Sequence, residues 1–168
     1  MSQTDSSLIE NLQSLVQSIP FAKGMNLKVG KARKGFVEMC LNPSNQLFNH
    51  FKTYQAGVYF TLAEITGGLL CGTFTDLTKN LLITKKSEIE FGHAVDSTLI
   101  SVAELALSDI ERLLGNLETK RKTSVLMDVF IKSLDGKEVA KCQNEYYLRL
   151  GIPRSFATNQ RAMRSKGV

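Results

Sequence analysis

Histidine is scarce: the 168-residue chain has only two, His50 and His93. It also lacks a GxSxG elbow, an HExxH pair and a phosphate-cradling GxxxxGK loop. Serine-triad, zinc-peptidase and P-loop chemistries lose ground together. Cys40, Cys71 and Cys142 are odd in number, far apart and without CxxC spacing. That disfavours a disulfide framework or a zinc site and fits reduced thiols, each a small core residue, in a cytoplasmic protein. No basic start followed by an apolar run opens the chain, so no secretory leader is expected. No stretch interleaves aromatic with basic residues as a base-stacking surface would, so nucleic acid is not an expected partner. The basic excess lies in a C-terminal stretch without a single acid. Charges cancel through Leu148, and the net +5 comes from Arg149, Arg154, Arg161, Arg164 and Lys166. Residues 152–168 read as a solvated basic tail, with help to an anionic ligand as the alternative.

What is present is enough for one core, since 43% of the residues are hydrophobic. One domain over residues 1–168 is expected. Leu8, Ile9, Leu12, Leu15, Val16 and Ile19 recur at helical spacing. Ser7 and Glu10 have the form of a capping box, and Pro20 is placed to stop the helix. Leu27, Val29 and then Phe36 to Leu41 read as strands around a Gly30 to Gly35 turn, and residues 42–52 as a loop. From Thr53 to Thr75 the only charge is Glu64, and apolar residues fall on all sides, the pattern of a buried helix. Its length would just reach across a bilayer, but Gln55, Thr61, Glu64, Thr66, Thr73 and several glycines argue against membrane insertion. Gly67, Gly68 and Gly72 would cost a free helix roughly 1 kcal/mol each. Close approach of a neighbouring backbone would offset that. Residues 81–91, 98–107, 122–133 and 138–150 read as strands, Asp135-Gly136 as a hairpin turn, and Ser108 to Leu117 as a short helix capped by Ser108. The plan is α+β, an antiparallel sheet wrapped around one long helix.

An ionised carboxylate in an apolar helix costs several kcal/mol unless donors surround it. Two readings of Glu64 stand at this point. It is a structural carboxylate, satisfied by backbone N–H groups or facing solvent on a half-exposed helix, or it is a base or nucleophile tuned by its surroundings. Gln55-Ala56-Gly57 falls at the expected helix start. Free N–H groups and the positive end of the dipole can there receive a carbonyl oxygen that is gaining charge, unless the glycine only lets the chain enter a crowded helix. Glu64 follows Gly57 by seven residues, about two turns or ~10 Å along one face.

The run from Asn49 through His50, Phe51, Lys52, Thr53, Tyr54, Gln55, Ala56 and Gly57 to Glu64 resembles a segment of PaaI-like hotdog thioesterases. In that segment an asparagine and a short loop lead to His-Gly-Gly or His-Ala-Gly and then to a helix bearing Asp or Glu. The order of elements, the strand carrying Thr84 and the Asp-Gly turn before the last strand extend the similarity over residues 24–151. The chain looks closest to the branch with a YiiD-like thioesterase domain. The resemblance implies a hotdog fold and an acyl-CoA thioesterase. Glu64 would act as general base or nucleophile, the Gly57 backbone N–H as oxyanion donor, Asn49 as an orienter of substrate or water, and Thr84 as a holder of water.

Gln55 departs from the pattern, for many members carry histidine there; glutamine donates a hydrogen bond but does not titrate. His50 could substitute, and otherwise decorates the surface, and His93 is read as a strand-end residue. The resemblance further implies a site shared by two subunits, hence a homodimer, with a tetramer left open. No cofactor is expected beyond the coenzyme A of the substrate, whose phosphates would suit Lys85, Lys86, Lys120, Arg121 or Lys122. The rival expectation is a non-catalytic acyl or acyl-CoA binding protein that kept the fold. Two weaker ones are a structural dimer recruiting an acidic partner through its basic tail, and a dehydratase, which Gln55 disfavours.

Overall fold

A computed structural model describes residues 5–154; Arg161, Arg164 and Lys166 of the basic tail lie outside them. Helix α1, Ser6–Ser18, does not use the expected capping box. Asp5 Oδ1 accepts from the Ser7 and Leu8 amides at 3.0 and 3.1 Å, because a carboxylate at the positive end of the dipole is the better cap. Leu12 and Val16 are buried. Pro20 opens a second helix, α2, Pro20–Gly24, at the first position, where no N–H is needed.

Strands β1, Lys28–Arg33, and β2, Phe36–Leu41, form a hairpin tighter than expected. An irregularity between Val29 and Lys31 absorbs Gly30 within β1, and the turn is made at Gly35, whose φ is +78°. A side chain there would also meet Leu105 O and Ile110 Cδ1 at 2.8 Å. The loop over 42–52 contains a short 3-10 turn, Asn45–Leu47.

The long helix α3 is Ala56–Gly72, shorter at both ends than the 53–75 expected. Tyr54 is drawn into a bridge with Phe48, and Gln55 becomes the cap. Strand β3, Leu81–Phe91, has the expected bounds, while β4 is limited to Leu99–Glu104. Helix α4, Leu107–Lys120, begins before Ser108, with Ala106 at its cap position and no side-chain cap bond. Strands β5, Lys122–Ser133, and β6, Glu138–Arg149, close the order.

Gly115 lies exposed in α4, and a methyl group added there would meet nothing within 4 Å. Gly115→Ala is therefore expected to raise stability by roughly 0.5–1 kcal/mol, read as a higher thermal midpoint.

The six strands form one antiparallel sheet in the order β1-β2-β4-β5-β6-β3. Helix α3 touches β2 through β6, and eleven of its residues are buried, so the sheet wraps it as the sequence led one to expect. The two edges of the sheet differ. Along β1, Gln13 of α1 donates to Leu27 O and accepts from the Val29 amide, and the Asp5 amide donates to Ala32 O. Along β3, no strand pairs with the outer side among the described residues.

Cys71 and Cys142 are core residues as expected, whereas Cys40 is only half-buried. Burial pushes the Cys71 thiol up to about 12 and the Cys142 thiol to about 11. In the unfolded chain a thiol ionises near 8.5. Folding stability is then full below that value and is lost as pH rises toward 11–12, by about 1.4 kcal/mol per pH unit per thiol. At the acid end the sign reverses. Hydrogen bonds from Thr78 and Lys79 hold Asp76 down to about 2, so its contribution is present above the ordinary aspartate value near 3.9 and is lost as pH falls toward 2. Urea midpoints across pH should show a plateau near neutrality and a fall on both sides.

Candidate active site

Helix α3 has a single open stripe: Gly57 and Phe60 are exposed, and Glu64 and Gly68 half-buried. Residues three and four apart share a face of a helix, and this one runs beside β3. Glu64 is therefore not sealed in the core. It stands where the buried helix meets solvent, and its Oε1 accepts a 2.5 Å hydrogen bond from Thr84 Oγ1. The other carboxylate oxygen is left for a further donor.

Thr84 reaches Glu64 because β3 is irregular. The register slips between Thr84 and Lys86, so Thr84 and Ser87, three residues apart, are both half-buried while Lys85 and Lys86 face out. A regular strand would send Thr84 and Ser87 to opposite faces.

At the start of α3, Gln55 Oε1 accepts from the Gly57 amide at 2.6 Å. The glutamine is thus the helix cap, and the N–H expected to receive a carbonyl oxygen is occupied by the chain itself. The Gln55 amide nitrogen remains as an exposed donor at the same helix end. Asn49 is likewise engaged. Its Nδ2 donates to Thr53 Oγ1 and Tyr54 O, and its Oδ1 accepts from the Phe51 and Thr53 amides. These bonds brace a loop in which Lys52 takes a φ of +61°.

The structure therefore joins Glu64 to Thr84 and Gln55 to Gly57 as two separate pairs. Seven residues of helix separate them, about 10 Å. His50 is exposed, its ring tilted 42° against that of Phe51 with centroids 3.9 Å apart, and His93 is exposed in the loop after β3. Lys85 and Lys86 are paired with Glu145 and Glu88. Lys120, Arg121 and Lys122 are exposed.

Three groups around Glu64 were not anticipated from the sequence. Tyr146 Oη donates to the Glu64 backbone carbonyl at 2.6 Å. Asn144 Nδ2 donates to Ala63 O at 3.3 Å, and Ser87 Oγ donates to Asn144 Oδ1 at 2.6 Å. One signal was available: Asn144 falls in the inward phase of a strand whose other inward residues, Cys142, Tyr146 and Leu148, are core residues. A buried amide in that position must have partners. A cleft of about 880 Å³ lies elsewhere, lined by Leu8, Leu15, Phe74 and Leu77 among others; Glu64 does not line it. Among the described residues no helix is long and apolar enough to cross a membrane.

The fold recurs in solved structures. A Pseudomonas aeruginosa protein of unknown function, PA5026, described as a probable thioesterase, superposes with a TM-score of 0.75 at 25% identity, covering 84% of this chain and 95% of its own. The Escherichia coli PaaI protein from the phenylacetic acid degradation operon gives 0.66 at 16% identity, over 89% and 97% of the two chains. A hypothetical thioesterase from Streptococcus pneumoniae, crystallised with coenzyme A, gives 0.58 at 20% identity, over 76% and 89%. No curated protein matches the chain. A family model matches residues 11–148, and the chain accordingly belongs to the family described as a domain of unknown function, DUF4442, with the hotdog fold of PaaI and its thioesterase-like relatives.

Proposed function

We propose that the chain is an acyl-CoA thioesterase in which Glu64 acts as general base or nucleophile. The observation that carries this reading is the Glu64–Thr84 pair. It holds one carboxylate oxygen in place and leaves the other to take a proton from water or to attack a carbonyl carbon. In the first case water adds to the thioester carbonyl as Glu64 takes its proton, and the oxygen becomes an oxyanion beside the Gly57 N–H. Collapse expels the coenzyme A thiolate, which recovers the proton; the products are a carboxylic acid and a thiol. In the second, Glu64 attacks the carbonyl carbon and the coenzyme A thiolate leaves, taking a proton from solvent; water then hydrolyses the mixed anhydride to the carboxylic acid and restores Glu64.

A separation of about 10 Å along α3 is too great for Gly57 and Glu64 of one copy to serve one carbonyl. The reading therefore pairs Glu64 of one copy with Gly57, Gln55 and the Asn49 loop of a second. The open edge of β3, which carries Thr84, is the natural seam for such a homodimer. Its lysines, Lys85 and Lys86, precede its glutamates, Glu88 and Glu90, so that antiparallel pairing of two copies sets opposite charges against each other. Coenzyme A, present with one relative, is the expected thiol portion of the substrate.

One observation favours a second reading, a non-catalytic acyl-CoA binder: the Gly57 N–H is already taken by Gln55. A substrate carbonyl would have to displace that side chain. Purified protein should be assayed for thiol release against short, medium, long-chain and aryl acyl-CoAs, beside Gln55→Ala. Turnover on any member is the expected result, with Gln55→Ala changing it because the Gly57 amide is freed. A folded protein that binds acyl-CoA and releases no thiol, with or without Gln55, is the binder.

A further inference from the structure

Thr84 and Tyr146 are directly opposite each other across the β3–β6 ladder, and Ser87 opposes Asn144 in the same ladder. Three of these side chains meet α3 at consecutive residues. Asn144 takes the carbonyl of Ala63, Tyr146 the carbonyl of Glu64, and Thr84 the carboxylate of Glu64. Ser87 holds Asn144 in its rotamer through a 2.6 Å bond. Glu64 is thus gripped twice by one cross-strand pair, at its backbone by Tyr146 and at its side-chain end by Thr84.

The grip at the backbone is built into the helix. A helical carbonyl ordinarily serves only the amide four residues on, but a carbonyl oxygen has a second lone pair. The Tyr146 hydroxyl occupies it and lies against the Gly68 amide as well. That approach is possible because Gly67 has no side chain: a Cβ there would stand 2.4 Å from Tyr146 Oη and 3.0 Å from its ring. Tyr146 is fully buried. Burial, reinforced by the Glu64 charge, pushes its phenol far above the ordinary range, which keeps the hydroxyl protonated as a donor at neutral pH.

We propose that Tyr146 is a positioning residue for Glu64, setting the helix backbone so that the carboxylate stays on Thr84 and presents its free oxygen. The catalytic consequence rests on the thioesterase reading; the geometric one does not. If Tyr146 only filled space, Tyr146→Phe would lower stability and change nothing else. If it positions Glu64, the loss falls on the chemical step, because a reacting group displaced by about 1 Å can cost up to 10²-fold in rate while substrate binding is untouched.

The test is Tyr146→Phe, made in the stabilised Gly115→Ala background, with the methyl groups of threonine labelled for NMR and the Thr84 signal assigned by its loss in Thr84→Val. The expected result is a displaced Thr84 methyl resonance, in the direction given by Glu64→Ala, which takes the carboxylate away from the Thr84 hydroxyl. With it should come a kcat lower by roughly tenfold at a KM within about twofold. Thr84→Val, which releases the other end of the grip from a less buried position, should give the same split between kcat and KM. An unmoved Thr84 resonance in folded Tyr146→Phe, or a moved resonance with kcat unchanged, overturns the proposal. If the parent protein hydrolyses no thioester, the thioesterase reading fails, and the Thr84 resonance alone decides whether Tyr146 sets the place of Glu64.

Discussion

Glu64→Gln is expected to lower thioester turnover by about 10²–10⁴-fold, the range over which a positioned base contributes. It should leave the fold within about 1 kcal/mol of the parent. The two effects separate because glutamine has the shape of glutamate and keeps an oxygen for the Thr84 hydroxyl to donate to, so the half-buried site stays filled and paired. What is lost is the second oxygen as a base or nucleophile. An aspartate in its place would keep the chemistry and withdraw the carboxylate from Thr84 by a methylene, and should recover part of the rate. The measurement is free thiol released per mole of protein, beside urea midpoints for each variant. Turnover by Glu64→Gln within threefold of the parent would remove Glu64 from the reaction.

Gly67→Ala should be the most damaging single methyl that can be added to α3. The new Cβ would arrive 2.4 Å from Tyr146 Oη and about 3 Å from two ring carbons. The tyrosine is packed between helix and sheet with no exposed surface, so it has nowhere to retreat. Overpacking of this kind costs about 1–3 kcal/mol, and displacing the hydroxyl from the Glu64 carbonyl adds about 1 kcal/mol for the bond lost. A total near 3 kcal/mol is a large share of the 5–15 kcal/mol that holds a domain folded. The neighbouring glycine supplies the control. A Cβ at Gly68 would meet Leu82 Cδ2 at 3.6 Å, an ordinary contact, so Gly68→Ala should cost nothing and gain helix propensity. Equal urea midpoints for the two variants would mean that the Tyr146 contact does not constrain the helix.

The features legible in the sequence were those that repeat or stand alone. Alternating apolar residues marked the strands at Leu81–Phe91 and Lys122–Ser133 at their observed bounds, and a single acid in a long uncharged stretch marked Glu64. Ends of elements were less legible, because several residues competed to make them. Asp5 displaced Ser7 as a cap, since a carboxylate two residues earlier reaches the same helix end. Gln55 became a cap although glutamine is not among the residues usually found there. The grip of Tyr146 on Glu64 left no trace that spacing could reveal, because it joins a side chain to a backbone carbonyl 82 positions away. In hindsight Gly67 was its only local sign: a glycine inside a helix that could ill spare one. The slip in β3 that turns Thr84 and Ser87 to the same side was equally silent, since it is set by pairing with β6 rather than by composition.

The unequal edges of the sheet bear on how far copies of this chain can accumulate. Strand addition is self-propagating when a molecule offers two free edges, since each newcomer exposes a fresh template and the product is a fibre of no fixed length. Here Gln13 and the Asp5 amide consume polar groups along β1, while β3 offers eleven residues of backbone on its outer side. A molecule with one such edge can pair once, after which both members of the pair are spent. If two copies pair along β3, the first helix and the residue before it act as a chain terminator as well as a piece of the core; Gln13→Ala together with Asp5→Pro, which removes the amide that bonds Ala32 O, would then leave β1 open and turn a finite association into an open-ended one.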